Sequence, residues 1–363
     1  MLQSKTYFHG SDLETIEELY GIKKENLIPC AANVNPLGIS PLARNALLEN
    51  IDVIKDYPDR NYLELKQRIS NYSGANHEHI IVGGGSTELI RLFIELIKPQ
   101  KTMLLEPTYS EYAREILINQ SEIMSYSLKE SDNFELDIDI FLDVLNESID
   151  LLILCNPNNP TSTSLTKEEI DKILSRCKQL DIFVMVDETY IEFVNSIDEI
   201  SSVLLTNQYQ NLIVVRSISK FFAAPGLRLG YAITGNEELL HEFERTKNPW
   251  AISTLAMVAS IMFEDENYIN LTKSLIHTER NLIYSALSNR KTIRVFKPAA
   301  NFILLKLLKE DLTSRDVFEY CLQRNIMIRD CADFNGLNEH YIRFCFMKPE
   351  VNDHIVNTLL EVV

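Results

Sequence analysis

Four segments of the chain place groups that bind anions or react with carbonyls directly after short apolar runs. They are the glycine run at 83–87, the Asn-Pro-Asn-Asn-Pro run at 156–160, Asp187, and Ser-Ile-Ser-Lys at 217–220. Two phenylalanines follow Lys220, and a partly desolvated lysine can have a lowered pKa and form an imine with an aldehyde. A surface lysine whose methylene stem covers apolar neighbours would show the same pattern, so position alone leaves Lys220 open.

The other groups also have plain structural interpretations. The glycine run, with Ser86 and Thr87 opening a helical pattern, could bind an anion through backbone N–H groups. Taken alone, a glycine run favours a tight turn without a ligand, and Asp187 taken alone could cap the next helix. Arg228 stands between two leucines and two glycines, which does not fit an ordinary surface charge. The combination is therefore more informative than any one group.

Together these residue types meet the requirements of one cofactor, pyridoxal phosphate (PLP). PLP needs a lysine for its aldehyde, a carboxylate for its pyridine nitrogen, a donor for its 3-hydroxyl oxygen, and cationic and N–H groups for its phosphate. In that order the chain offers Lys220, Asp187, Asn159 or Tyr190, and Arg228 with Gly85, Ser86 and Thr87. The sequence therefore predicts a PLP enzyme.

A mainly parallel sheet would bring these groups together. Continuous apolar runs alternate with amphipathic helical stretches, which is typical of a sheet covered by helices on both faces. We expect seven strands, at residues 80–82, 102–106, 122–127, 151–155, 182–186, 212–215 and 229–234. Ligands of such sheets bind beyond the carboxyl ends of the strands, where the four segments lie.

The pattern changes after about residue 237. One long helical stretch is expected at 255–289, followed by short strands and helices of α+β character. We therefore predict an α/β fold with a large PLP-binding domain at 36–245. The smaller α+β domain would comprise 246–363 together with 1–35, which would form an N-terminal arm.

Composition disfavours several other classes of protein. The chain has 363 residues and 45 % hydrophobic content, enough for a sizeable core. Its net charge of −17 would repel nucleic acids and anionic membranes, and no apolar run approaches the ~20 residues of a membrane helix. The six cysteines form no C-x-x-C pair and show no zinc-like spacing, so no metal site is expected. Without a signal-peptide pattern at the N-terminus, a soluble cytoplasmic protein is expected.

Four motifs are specific in combination: Asn-Pro-Asn-Asn-Pro-Thr (156–161), Val-Asp-Glu-Thr-Tyr (186–190), Ser-Ile-Ser-Lys (217–220) and Gly-Leu-Arg-Leu-Gly-Tyr (226–231). With them the chain resembles, over nearly its whole length, the fold-type I, class I/II aminotransferase superfamily. The resemblance implies the PLP-transferase fold and a homodimer whose active sites lie at the subunit interface.

The resemblance also implies a role for each matching residue. Lys220 would be the Schiff-base lysine, Asp187 would hold the pyridine nitrogen, and Asn159 and Tyr190 would hold the 3-hydroxyl oxygen. The phosphate would be bound by Ser86, Thr87, Ser217, Ser219 and Arg228, and by Tyr57 from the neighbouring subunit. Tyr109 would stack on the ring, and Arg343 would bind the substrate carboxylate through a bidentate pair.

Two subgroups of the superfamily compete, and both handle phosphorylated amines. They are histidinol-phosphate aminotransferase and the L-threonine-O-3-phosphate decarboxylase of cobalamin synthesis. His9-Gly10 and the segments at 32–38, 247–253 and 328–337 look more like the decarboxylase. That resemblance implies four substrate-binding residues, His9, Asn33, Arg329 and Arg343, with His9 and Arg329 towards the substrate phosphate.

Each of these assignments has an alternative. Arg329 could form a surface salt bridge with Asp330 or Asp333, and His9 could simply be solvated. The same residues would serve decarboxylation and transamination, because the outcome depends on which Cα bond stands perpendicular to the ring. A non-enzymatic PLP-binding regulator is disfavoured by the acidic charge and by the lack of a basic helix-turn-helix segment before residue 30.

Three positions depart from the family pattern. Ser162 stands where glycine is usual, Thr189 where alanine is common, and Ser253 where asparagine is frequent. Ser162 predicts an altered turn, and Ser253 touches the expected substrate side and weakens the substrate assignment. Ser162 and Thr189 lie in loops near the expected cofactor and remove no predicted cofactor contact.

Overall fold

The structure is a computed structural model that describes Phe8 and residues 10–363. Its strands are β1 (Ile80–Gly83), β2 (Lys101–Glu106), β3 (Glu122–Ser127), β4 (Leu151–Cys155), β5 (Phe183–Asp187), β6 (Leu212–Ser217), β7 (Gly230–Ile233), β8 (Ile293–Val295), β9 (Phe302–Leu307), β10 (Arg329–Asp330) and β11 (Tyr341–Cys345). Its α-helices are α1 (Leu13–Tyr20), α2 (Pro41–Glu49), α3 (Leu63–Ser73), α4 (Ser86–Ile97), α5 (Ser110–Ile118), α6 (Ile138–Val144), α7 (Lys167–Gln179), α8 (Ile197–Ile200), α9 (Glu237–Thr246), α10 (Thr254–Ala259), α11 (Glu266–Ser288), α12 (Ser314–Leu322) and α13 (Pro349–Val362).

The first seven strands form one mainly parallel sheet, as predicted. The strand order is β1-β7-β6-β5-β4-β2-β3, and β7 runs antiparallel to both of its neighbours. Side chains of β5 alternate between two apolar cores: Val184 and Val186 pack with α7, whereas Met185 packs with α4 and α5. Helices therefore cover both faces, and the carboxyl ends of β4, β5 and β6 lie side by side.

The second sheet is antiparallel, with the order β10-β11-β9-β8. Its register places Arg329 directly opposite Arg343. An isolated bridge joins Ile28 to Ile326 and so ties the segment before α2 to this part of the chain. The division into domains at 36–245 and at 1–35 with 246–363 stays a prediction.

Local signals explain how some helices begin and end. Thr166 and Glu169 form the capping box that starts α7, as their spacing predicts. The single helical stretch expected at 255–289 is wrong, because α10 and α11 are separated by a 3₁₀ segment, Ser260–Glu264. Asp265 accepts from the backbone N–H of Tyr268 to start α11, and it is fixed by a 2.5 Å hydrogen bond from Ser40. Within the described residues, no helix has the length and apolar character needed to cross a membrane.

Candidate active site

A cavity of about 620 Å³ lies at the carboxyl ends of β4, β5 and β6. The predicted site residues that line it are Asn33, Ser86, Thr87, Tyr109, Asn159, Asp187, Tyr190, Ser219, Lys220, Arg228, Arg329 and Arg343. Motifs far apart in the sequence meet here because the carboxyl ends of parallel strands share one edge of the sheet.

Lys220 follows the end of β6 and faces this cavity. Its Nζ donates a 2.7 Å hydrogen bond to the backbone carbonyl of Ala32. Burial, and after it the positive charge of Arg343, lower the pKa of Lys220 from 10.5 to about 8. Much of the amine is therefore neutral in mildly basic solution, which is the form that attacks an aldehyde.

Asp187 ends β5 and is 4 % exposed. Its Oδ2 accepts a 2.7 Å hydrogen bond from the Tyr112 hydroxyl, and its Oδ1 accepts from the N–H (2.9 Å) and the hydroxyl (2.6 Å) of Thr189. Burial raises the pKa of Asp187, whereas these hydrogen bonds lower it. Sequence reasoning missed Tyr112, although its position one helical turn after Tyr109 is a signal that could have indicated it.

Asn159 and Tyr190 connect the cofactor side of the cavity to the substrate side. The Asn159 Oδ1 accepts a hydrogen bond from Arg343. The Tyr190 hydroxyl accepts one of 3.3 Å from Asn33, whose backbone is left-handed with φ 58°. Burial raises the pKa of Tyr190 well above its ordinary value, so its hydroxyl stays protonated and can donate.

The other end of the cavity combines a helix N-terminus with a guanidinium group. Ser86 and Thr87 open α4, and Gly85 precedes them with φ +104°, a conformation that glycine adopts without strain. Arg228 donates a 2.9 Å hydrogen bond to the carbonyl of Gly84, and a side-chain carbon on Gly85 would collide with its guanidinium group. Backbone N–H groups, hydroxyls and a cation therefore converge, which suits a phosphate.

Two serines and a tyrosine complete this end. Ser217 is buried just behind the cavity wall, and its Oγ lies 2.7 Å from the Oγ of Ser219, which lines the cavity. The Tyr109 hydroxyl is hydrogen-bonded to Thr87, and burial raises the pKa of Tyr109 to about 12. The Tyr109 ring meets the Tyr112 ring edge to face, with centroids 5.5 Å apart.

Arg343 lies in β11 and is 4 % exposed. Its Nη2 donates a 2.8 Å hydrogen bond to the carbonyl of Ala31, and its Nη1 donates to Asn159. Its Nε is buried and has no hydrogen-bond partner among the described residues. A buried guanidinium group with a free donor, at the wall of a cavity, fits an anionic substrate group.

Arg329, opposite Arg343, is also buried at the cavity wall. Its Nη2 forms a 2.6 Å salt bridge with Asp333, and its Nη1 donates to the backbone carbonyl of Asp330. The alternative pairing with Asp333 is therefore present, but its expected location on the surface is wrong. Because Arg329 lines the cavity together with Arg343, it is placed to bind a second anionic group of a ligand, in addition to the one that Arg343 would bind.

One predicted residue, Tyr57, is not part of the cavity wall. It is 82 % exposed, and its ring centroid lies 5.1 Å from that of Trp250. This placement leaves the side chain accessible to a second subunit, as its predicted role requires. His9 lies outside the described residues.

The three departures from the family pattern have local explanations. Ser162 adopts a left-handed conformation, φ 61°, and its Oγ accepts a 2.9 Å hydrogen bond from the N–H of Ala300. Thr189 donates to Asp187. Ser253 caps α10 and is not among the residues that line the cavity, so the structure does not show its expected place on the substrate side.

The donor set fits PLP. A lysine with a lowered pKa, a buried carboxylate and a phosphate-type cradle line one cavity, and the space beside Gly85 is filled by a guanidinium group. These are the groups that bind the aldehyde, the ring nitrogen and the phosphate of PLP. In the part of the chain that the structure describes, no three His, Cys, Asp or Glu side chains are grouped as metal ligands.

Comparisons with known proteins agree with this chemistry. Threonine-phosphate decarboxylase of Salmonella typhimurium is 32 % identical over 98 % of this chain and 96 % of its own length. Histidinol-phosphate aminotransferase of Methanosphaera stadtmanae is 30 % identical over 99 % of this chain and 96 % of its own. The crystal structure of histidinol-phosphate aminotransferase from Clostridium acetobutylicum superimposes with a TM-score of 0.86 at 32 % identity, covering 92 % of this chain and 98 % of that one.

A comparison with protein-family models covers most of the chain. Residues 25–359 match the model of the family described as aminotransferase class I and II. The match includes the two sheets and every motif that carries the resemblance. The chain therefore belongs to the class I and II aminotransferase family and is a PLP-dependent enzyme.

Proposed function

We propose that the protein decarboxylates L-threonine O-3-phosphate, a phosphorylated amino acid, in a PLP-dependent step of cobalamin synthesis. The observation that carries the proposal is that two buried guanidinium groups, Arg329 and Arg343, line the same cavity as Lys220. Threonine phosphate has two anionic groups, a carboxylate and a phosphate, and each would pair with one arginine. The similarity to the Salmonella decarboxylase supports this choice.

The second candidate is aminotransfer from histidinol phosphate to 2-oxoglutarate. Histidinol phosphate has one anionic group and would leave one arginine to its protein partners, but 2-oxoglutarate has two carboxylates and would engage both. The similarity to histidinol-phosphate aminotransferases is of the same size as that to the decarboxylase. The two candidates therefore differ in the reaction at Cα and in the substrate, not in the cofactor site.

We further propose how PLP is held. Lys220 would bind its aldehyde, Asp187 its ring nitrogen, and Asn159 and Tyr190 its 3-hydroxyl oxygen, with Tyr109 against the ring face. Its phosphate would be bound by Gly85, Ser86, Thr87, Ser217, Ser219 and Arg228, and by Tyr57 of the partner subunit. When bound, PLP supplies an aldehyde for the substrate amine and a ring that accepts the electron pair of the broken Cα bond.

The chain's own residues would direct the reaction. Arg343 would hold the substrate carboxylate and so set which Cα bond stands perpendicular to the ring. Arg329 and His9 would hold the substrate phosphate, and Asn33 would contact the substrate beside Tyr190. When it is not bound to the cofactor aldehyde, the Lys220 amine would accept or donate a proton at Cα. Its pKa of about 8 suits both roles, because both the neutral and the protonated forms are present near that pH.

A homodimer is part of the proposal. Apolar side chains are exposed in and after α2: Leu48 is 71 % exposed, Ile54 is 64 % exposed and Tyr57 is 82 % exposed. An apolar surface of this kind is typical of a protein–protein interface, and a second copy would cover it and place Tyr57 in the partner's site.

The six cysteines form no disulfide, which supports a cytoplasmic location.

The decisive experiment measures products. Purified protein with PLP and L-threonine O-3-phosphate should release CO2 and 1-amino-2-propanol phosphate, and Lys220→Ala should release neither. Arg329→Gln should raise the KM for the phosphorylated substrate by roughly 30-fold or more, because the substrate phosphate loses the buried guanidinium group with which it would pair. Arg91→Gln, at an exposed position on α4, is the matched control. Glutamate formed from histidinol phosphate and 2-oxoglutarate, without CO2 release from threonine phosphate, would overturn the decarboxylase and favour the second candidate.

A further inference from the structure

We propose that Tyr112 and Thr189 are positioning residues that leave Asp187 with one free lone pair, on Oδ2, for the ring nitrogen of the bound cofactor. The inference rests on the proposed binding of PLP in this cavity. It concerns two side chains that the family motifs do not assign. Thr189 is of particular interest, because it occupies the position where alanine is common.

The count of hydrogen bonds carries the argument. An ionised carboxylate has about four lone-pair sites, two on each oxygen. On Asp187, Oδ1 accepts two donors from Thr189, the N–H at 2.9 Å and the hydroxyl at 2.6 Å. The Oδ2 accepts one donor, the Tyr112 hydroxyl at 2.7 Å. One site on Oδ2 therefore remains for a donor in the cavity.

Each donor is placed by a different element. Thr189 follows Asp187 by two residues, so its N–H closes a local turn onto the carboxylate, and its hydroxyl adds a second donor to the same oxygen. Tyr112 comes from the first turn of α5 and is 1 % exposed. Its ring packs edge to face against Tyr109, at an interplanar angle of 87°. Tyr112 therefore links the aromatic wall of the cavity to the carboxylate.

The donors matter because the surroundings of Asp187 oppose its charge. Burial, and after it the neighbouring Glu188, raise the pKa of Asp187. The Glu188 charge is already paired with Arg216, at 2.7 Å. Hydrogen bonds to a carboxylate favour its ionised form. Removing one should therefore move the proton shared with the ring nitrogen towards Asp187.

The test uses holoenzyme reconstituted with ¹⁵N-labelled PLP. In the unaltered protein the ring nitrogen should give the NMR signal of a protonated pyridine. In Thr189→Val, which keeps the branched shape, and in Tyr112→Phe, the signal should move towards that of neutral pyridine. The affinity for PLP should fall about 5-fold in each, because a less ionised Asp187 makes a weaker hydrogen bond with the protonated ring nitrogen. Thr189→Ser keeps the hydroxyl and should restore both properties.

Kinetics separate this role from a general loss of structure. Both variants should lower kcat while leaving the KM of the substrate within about 2-fold, since neither side chain is assigned to substrate binding. A nitrogen signal unchanged in Thr189→Val, or a Thr189→Ser variant that behaves like Thr189→Val, would overturn the inference while leaving the proposed function intact. Failure of the unaltered protein to bind PLP would overturn both.

Discussion

Replacing Lys220 by methionine should stabilise the cofactor-free protein near neutral pH, and the gain should shrink as the pH rises. The amine is held inside the protein with a pKa of about 8, against 10.5 when unperturbed. Between these two values the unfolded chain binds more protons than the folded one, so the free energy of unfolding of the parent protein rises with pH. The cost of the buried lysine is complete below about pH 8.

The size of the expected gain in the free energy of unfolding follows from the lowered pKa of Lys220. A difference of about 2.5 pKa units corresponds to about 3 kcal/mol at pH 7, and it falls to about 1 kcal/mol at pH 10. Two effects reduce the gain at neutral pH. Lys220 is partly exposed to the cavity, and methionine leaves the Ala32 carbonyl without its donor, at a cost of ~1 kcal/mol. The net gain expected at pH 7 is therefore about 2 kcal/mol.

The assay is urea unfolding of the cofactor-free parent and of Lys220→Met, at one protein concentration, at pH 7, 8.5 and 10. Lys172→Met is the matched control, because Lys172 lies exposed on α7; it should show no comparable pH-dependent gain. Two results would contradict the inference that burial lowers the pKa of Lys220. One is a Lys220→Met protein less stable than the parent at pH 7. The other is a gain in the free energy of unfolding that is the same at pH 7 and pH 10.

Three further predictions concern the second anion site and the core. Asp333→Asn should bind inorganic phosphate about 5-fold more tightly in calorimetry, because Arg329 loses a competing carboxylate at 2.6 Å. Glycine adopts the left-handed conformation of Ser162, φ 61°, more easily than serine does. Ser162→Gly should nevertheless lower the free energy of unfolding by ~1 kcal/mol, because the buried Ala300 N–H loses its acceptor. Arg216→Met should lower the free energy of unfolding by ~3 kcal/mol in denaturant titrations, because the fully buried Glu188 would lose its charge partner and keep only the donors of Ser201 and Ser202.

Each of these has an opposite outcome that would contradict it. Phosphate affinity unchanged in Asp333→Asn, relative to the exposed control Asp143→Asn, would mean that the Arg329–Asp333 pair stays intact when an anion binds. A more stable Ser162→Gly would show that relief of the left-handed backbone outweighs the hydrogen bond. An Arg216→Met protein as stable as the parent would show that the hydrogen bonds from Ser201 and Ser202 suffice to stabilise the buried Glu188 side chain.

Much of the cofactor site could be predicted from local sequence. Lys220, Asp187 and Arg228 stand at or beyond the ends of apolar runs, and parallel strands bring such ends to one edge. The expected strands were correct for the same reason, since continuous apolar runs between helices specify a buried parallel sheet. The start of α7 was also predictable, because a capping box involves only residues three apart.

The substrate side of the cavity and the hydrogen bonds of the Asp187 carboxylate depend on contacts that local sequence does not show. The placing of Arg329 opposite Arg343 depends on the register of β10 and β11. Asp265, which caps α11, is held by Ser40, a residue far away in sequence. Tyr112 reaches Asp187 across 75 positions of the chain. Such contacts arise from packing between distant elements, whereas spacing and periodicity in a sequence report only on neighbours along the chain.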